Sequence, residues 1–227
     1  MLAIIVFLYS FTSKRNEERK ISQPVVEFLD EGNLFLTHET VNKLLIENNR
    51  DAQTIHKVNL DLNRLEKTID KNDMIEKSEV FVSIDGILKA VVKQKTPIAR
   101  IMNESGSFYI DYEGNVMPLS AIHTARVPLV SGTIAAKNSK DLYKLFRFIY
   151  DDDFLKKNII GMEILPSGSL IMMNRNFNYQ IEFGKTINIE RKFNNYKAFF
   201  QKAVLDSTIN RYKVINLKFT QQVVCTK

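Results

Sequence analysis

The side chains able to do acid–base, metal or nucleophilic chemistry are few and scattered along these 227 residues. His38, His56 and His123 stand apart. None has a second histidine or a carboxylate at metal-ligand spacing, so no zinc site is predicted. The single cysteine, Cys225, excludes an internal disulfide and a cysteine zinc site. A free thiol this close to a chain end reads as packing, not as a nucleophile. Phosphate-binding glycine loops and the G-x-S-x-G elbow are absent. The run Asp151-Asp152-Asp153 suggests a divalent cation site. It follows directly on a predicted helix end, where the negative pole of the dipole disfavours acids. A solvated acidic turn screened by Lys156 and Lys157 is the better reading. These residues predict no catalysis, no metal and no cofactor.

The composition around them is 44% hydrophobic, 26% charged and 10% aromatic. It excludes a collagen, a disordered tail and a multi-span membrane protein. The length holds one or two domains with real cores. The net charge of +6 is uneven: residues 1–104 carry 15 Lys+Arg against 16 Asp+Glu, and residues 105–227 carry 17 against 10. A basic half is one signature of an anionic partner. Here the basic residues are dispersed, which reads as biased composition.

The chain starts MLAIIVFLYSF, an apolar run from Met1 to Phe11. A membrane-spanning helix needs about 20 residues, so this run is too short to span alone. It has no basic residues before it and no small-x-small cleavage site after it, so a signal peptide is not indicated. Residues 1–21 read as a partial N-terminal anchor with a juxtamembrane segment, or else the apolar run is a buried strand. Lack of alternation favours the anchor. Lys14, Arg15, Arg19 and Lys20 follow the run, and by the positive-inside rule they argue for a cytoplasmic body.

Residues 22–104 predict a β-α-α-β-β unit. A strand covers Pro24 to Leu29. Thr37 caps a helix whose Val41, Leu44, Leu45 and Asn48 share a face. A second helix covers Asp61 to Asp70 with Leu62, Leu65 and Ile69 aligned. A hairpin follows, with Asp85-Gly86 as a two-residue type I′ turn and Ile87 to Gln94 as the return strand. Two helices on one face of three strands make a small α+β layer.

Residues 105–227 predict a second, β-rich domain. Strands are expected at Phe108–Tyr112, in a short return ending at Pro118, and at Ile159–Leu165, Leu170–Met173, Tyr179–Phe183 and Thr186–Ile189. They would form an antiparallel meander. ARVPLVSG, ending at Gly132, reads as a buried connector. Two helices cover Asp141–Tyr150 and Arg191–Val204. Leu142, Leu145, Phe146 and Ile149 share a face of the first. Phe193, Tyr196, Phe200 and Ala203 line the second as core. The closing strand is Lys213–Phe219. The expected class is α+β: a β-α-α-β-β module, then antiparallel strands with two helices.

The order of these motifs resembles the FtsQ (DivIB) family of bacterial cell-division proteins, in its Bacteroidetes-like form. The resemblance rests on FLTHETVNKLL (35–45), MIEKSEVFVSIDGILKAVVKQKTPIARI (74–101), FYIDYEGNVMPLS (108–120), RVPLVSG (126–132) and VINLKFTQQVVC (214–225). It implies a non-enzymatic divisome scaffold at the septum, with one inner-membrane span and a periplasmic body. That placement overrules the cytoplasmic argument from charge. The first module would be a POTRA domain and the second the family's β domain. The implied partners are FtsB (DivIC)-like and FtsL-like proteins, with other divisome proteins at the POTRA-like module and no nucleic acid. The partner-binding residues would be Ile215, Asn216, Leu217, Lys218, Phe219 and Gln221. In a strand, Ile215, Leu217 and Phe219 take one face and Asn216 and Lys218 the other. Lys218 would meet a partner carboxylate and Phe219 would be an apolar anchor; the competing reading makes Phe219 core and Lys218 solvated. Two further functions compete. One is a POTRA-type chaperone of outer-membrane proteins that uses the Pro24–Leu29 edge. The other is a nucleic-acid binder that uses the basic half, with steep salt dependence.

Overall fold

The computed structural model describes residues 2–17, 22–29, 35–47, 61–104, 106–134 and 139–227. Contacts divide the chain into two units, Met1–Lys95 with Ser120–Thr124, and Thr96–Leu119 with Ala125–Lys227. Among residues singled out above, Met1, Arg19, Lys20, Asn48 and His56 lie outside those described.

In the first unit, α1 spans Leu2–Glu17. The apolar start is therefore a helix, and the strand reading is overturned. An unbroken apolar run can satisfy its own backbone hydrogen bonds as a helix, whereas a buried strand needs neighbours. Ile4, Ile5, Val6, Phe7, Leu8, Tyr9 and Phe11 are all exposed. No helix among the described residues is long and apolar enough to cross a membrane.

β1 (Ser22–Phe28), α2 (His38–Glu47), α3 (Leu62–Ile69), β2 (Ile75–Val82) and β3 (Ile87–Gln94) follow in the expected order. β3 lies in the middle of the sheet, parallel to β1 and antiparallel to β2. Both helices start where the sequence predicts. The Thr37 hydroxyl accepts the Thr40 N–H at 3.0 Å, and the Asp61 carboxylate accepts the Arg64 N–H at 3.0 Å. Val41, Leu45, Leu65 and Ile69 are buried, as are Val26, Phe28, Leu88, Ala90 and Val92 of the strands. Buried Gln94 accepts the N–H groups of Phe35 (2.8 Å) and Leu36 (3.1 Å), which fixes the entry to α2.

The hairpin turn differs from the type I′ expectation. Gly86 has φ +85°, but Asp85 has no positive φ. The Gly86 N–H bonds the Ser83 carbonyl at 3.0 Å, and the Ser83 N–H bonds the Ile87 carbonyl at 2.9 Å. This is a three-residue loop closed by a glycine bulge. Such a loop needs one left-handed residue and not two, and Asp85 stays unstrained.

The second unit holds a mixed sheet, nine strands among the described residues, in the order β12-β11-β10-β9-β8-β7-β4-β5-β6. Its strands are β4 (Pro97–Asn103), β5 (Gly106–Asp111), β6 (Val116–Met117), β7 (Leu129–Gly132), β8 (Ile159–Ile164), β9 (Leu170–Asn174), β10 (Gln180–Gly184), β11 (Val214–Asn216) and β12 (Val224–Thr226). α4 (Ser139–Asp151), α5 (Asp153–Asn158) and α6 (Ile189–Leu205) contribute Leu142, Leu145, Phe146, Ile149, Leu155, Phe193, Tyr196 and Ala203 to its core. The sheet contributes Ile101, Val130, Met162, Ile164, Met172, Ile181, Phe183 and Ile215.

Several expectations change here. β4 pairs with β5 and β7, so the units divide at Lys95–Thr96 and not at residue 104. The second half of the ARVPLVSG connector is a strand, parallel to both β4 and β8. The sheet is therefore mixed and not an antiparallel meander. Thr186–Ile189 is not a strand. Asn188 takes a left-handed φ of +52° at the start of α6. The Lys192 ammonium takes up the carbonyls of Phe183 (2.9 Å) and Lys185 (2.8 Å), so the chain there needs no strand partner. Lys213–Phe219 is not one strand: β11 stops at Asn216, and β12 lies outside it.

Candidate functional site

β10 runs parallel to β11, and β12 returns antiparallel on its outer side. β12 ends the sheet, so its outward N–H and C=O groups have no strand neighbour among the described residues. The free edge thus belongs to Val224–Thr226 and not to Ile215–Phe219.

The sequence-predicted residues fall into two groups. Ile215 and Leu217 are fully buried in the core. Asn216, Lys218, Phe219 and Gln221 lie at the surface end of the same segment. The Asn216 amide accounts for the early end of β11. Its Oδ1 accepts the Lys218 N–H at 3.0 Å, and its Nδ2 donates to Glu182 Oε2 at 3.1 Å. This side-chain turn removes the backbone from the strand ladder. Phe219 therefore leaves the face of Ile215 and Leu217 and is 52% exposed, which overturns its reading as core.

Lys218 has an internal acid: its Nζ lies 2.5 Å from Glu182 Oε2. A partner carboxylate must compete with that pair. The lysine stem crosses Gly184 closely enough that a Cβ there would sit 2.9 Å from Lys218 Cγ. Gln221 accepts from the Arg191 guanidinium at 3.2 Å, and Asn195 donates to the Thr220 carbonyl at 3.0 Å, so α6 holds the segment before β12. Val224 is exposed, while Cys225 packs against the core and burial pushes its thiol pKa up. The sequence marks Gly184 as a turn and gives Glu182 and Val224 no role. Alternation in QIEFG does place Glu182 outward, but β12, at three residues, is too short for periodicity to find.

His38, His123 and Asp152 make contacts within the fold. His38 stacks edge-on against Phe28 at 4.8 Å, and His123 against Phe35 at 5.0 Å. Among the described residues no group of three His, Cys, Asp or Glu side chains could hold a metal ion. Asp151 and Asp153 are exposed, as in a solvated turn, but Asp152 is half-buried. Asp152 caps α5 through the Leu155 N–H at 3.0 Å and pairs with Lys197 of α6. The Lys156 ammonium instead sits 3.6 Å from the Tyr150 ring centroid. Buried Tyr179 and Tyr196 share a hydrogen bond at 2.8 Å, and Asn174 donates to Tyr196 at 3.0 Å. Burial pushes both phenols up.

The family model described as FtsQ/DivIB, C-terminal related, matches residues 96–226. The chain belongs to this family. The match opens where the second unit begins and takes in every strand from β4 to β12. No curated protein matches the chain. FtsQ/DivIB proteins are non-enzymatic cell-division proteins. Membership gives this chain a cell-division role, with division proteins as its partners.

Proposed function

We propose that this FtsQ/DivIB-family chain is a divisome scaffold that binds an FtsB/FtsL-like complex through the β12 edge. The observation that carries the reading is that edge. A strand added beside Val224–Thr226 would take up the unpaired backbone groups, while Lys218, Phe219 and Gln221 flank it. The first unit, with its β-α-α-β-β order, would serve as a POTRA-like module. α1 would be part of a single inner-membrane anchor with the body in the periplasm, and its exposed apolar surface suits that role.

Capture of the FtsB-like partner tests the assignment. Lys218→Glu and Phe219→Ala are expected to weaken it about tenfold each, as truncated interface anchors do. Full capture by well-folded variants removes these residues from the interface. The alternative, a chaperone of outer-membrane proteins, would use β1, whose outer edge has no strand neighbour among the described residues. Depletion separates the two readings. Filamentous, undivided cells support the scaffold; loss of outer-membrane barrels in dividing cells supports the chaperone.

A further inference from the structure

Three side chains around the end of β11 close a ring of hydrogen bonds. Asn216 Oδ1 accepts the Lys218 N–H at 3.0 Å. The Lys218 ammonium lies 2.5 Å from Glu182 Oε2. That same oxygen accepts from Asn216 Nδ2 at 3.1 Å. An isolated surface ion pair holds its partners loosely, whereas a network fixes them. Here Asn216 holds both ends of the pair: the backbone that bears the lysine and the carboxylate that receives it.

The ring decides where the charge of Lys218 sits. β11 lies between β10 and β12. The lysine stem crosses Gly184 of β10, where a Cβ would sit 2.9 Å from Lys218 Cγ, and the ammonium rests on Glu182 of the same strand. The charge is thus drawn to the β10 side of β11. At two strand spacings, β10 stands about 9.6 Å from the β12 edge. Register flanks Glu182 with Ile171 of β9 and Asn216 of β11, so neither strand neighbour brings a competing charge. The side chains of Lys218 and Glu182 are 48% and 32% exposed, which leaves the pair open to exchange.

We propose that Glu182 is an autoinhibitory ligand of Lys218: it stands in for the partner's carboxylate and holds the partner-binding site in a weakened state until that carboxylate displaces it. The inference rests on the reading that Lys218 meets an acid of the partner whose strand adds beside β12. The partner's acid gains only the difference between its own pair with Lys218 and the pair that it breaks. In population terms, a site whose competent state is a fraction of the whole binds more weakly by that fraction. The exchange keeps the charges matched, since one lysine–carboxylate pair replaces another. Asn216 still donates to Glu182 after the handover, so the turn that ends β11 persists. The latch therefore lowers affinity without altering the β12 edge, and it keeps the complex exchangeable.

Titration of the full chain, in a non-ionic detergent, onto the immobilised FtsB-like partner tests the latch. Glu182→Gln removes the charge and keeps an oxygen for Asn216. It should tighten capture about two- to fivefold, the range that one exposed ion pair spans. Lys218→Met keeps a stem over Gly184 and should weaken capture. In the Lys218→Met background, Glu182→Gln should change nothing, because the latch acts only through the lysine. A thermal melt verifies that each variant is folded. Tightening that persists without the lysine overturns the proposal, since it would come from the loss of a negative charge near an acidic partner. Capture by Glu182→Gln that equals the wild type or falls below it, while Lys218→Met weakens capture, also overturns it; Lys218 then remains a contact that Glu182 only supports. If Lys218→Met itself leaves capture unchanged, the reading of Lys218 as a partner contact has failed, and the latch fails with it.

Discussion

Gly132 shows how much one missing side chain can decide. It ends β7 with φ +97°, and a Cβ there would lie 2.1 Å from the Ile164 carbonyl oxygen. Backbone on both sides leaves nothing flexible to yield. Gly132→Ala is expected to cost about 2–4 kcal/mol, read from the urea midpoint; a change below about 0.5 kcal/mol would mean that β7 and β8 separate freely. The sequence identifies Gly132 as the end of a segment, but the neighbour that forbids a Cβ comes from a strand some thirty residues on. Lys192 was less legible still. In the helical pattern it reads as a solvated residue beside the aromatic stripe, yet it is buried and bonded to two carbonyls. Desolvation holds its pKa below the ordinary 10.5. Between that lowered value and 10.5 the unfolded chain binds a proton that the native state lacks, so this residue makes stability rise with pH across the window. Measured against Lys192→Met, the wild type should gain stability as pH climbs toward 10.5. A difference constant with pH would contradict the lowered value.

Asp152 joins elements, and its effect belongs at their scale. It caps α5 and reaches Lys197 on α6, so one carboxylate ties two helices at a chain reversal. Burial raises its pKa, but the Lys197 bond and the Leu155 N–H together outweigh that and hold it below 3.8. The stabilisation is therefore complete above 3.8 and is lost as pH falls through the lowered value. Asp152→Ala should cost about 1–2 kcal/mol at neutral pH, with the difference shrinking in acid. Equal losses at neutral and acid pH would show that packing, not charge, is at stake. The helices themselves were legible, because burial follows the 3.6-residue period: Leu142, Leu145, Phe146 and Ile149 all point inward. The acid run differs from its sequence pattern because Asp152 caps the helix that follows it and not the one before. β11 and β12 were misread for a related reason: the Asn216 side chain stops the strand where alternation alone continues to Phe219.

At the scale of the whole molecule, local periodicity locates most strands but does not order them. β4, β7 and β8 run parallel although only β8 reads as part of a meander and β7 reads as a connector, because parallel pairing is set by contacts remote in sequence. The same limit explains the boundary at residue 104: β4 continues the hairpin's strand-like pattern, and only its partners assign it to the second core. With one cysteine, neither unit has a disulfide, and each relies on its own buried cluster. Leu65 is buried in the first and Leu145 in the second. Leu65→Ala and Leu145→Ala should each remove about 2–5 kcal/mol, since both leave a cavity that close-packed neighbours fill only in part. Lying in different cores, they should add to within about 0.5 kcal/mol. Amide hydrogen exchange on the full chain can read the two cores separately. Leu65→Ala should speed exchange in β2 and β3 and leave α4 and β8 protected, and Leu145→Ala should do the reverse. Exchange that accelerates across both units from either substitution would mean that the two cores unfold as one cooperative body.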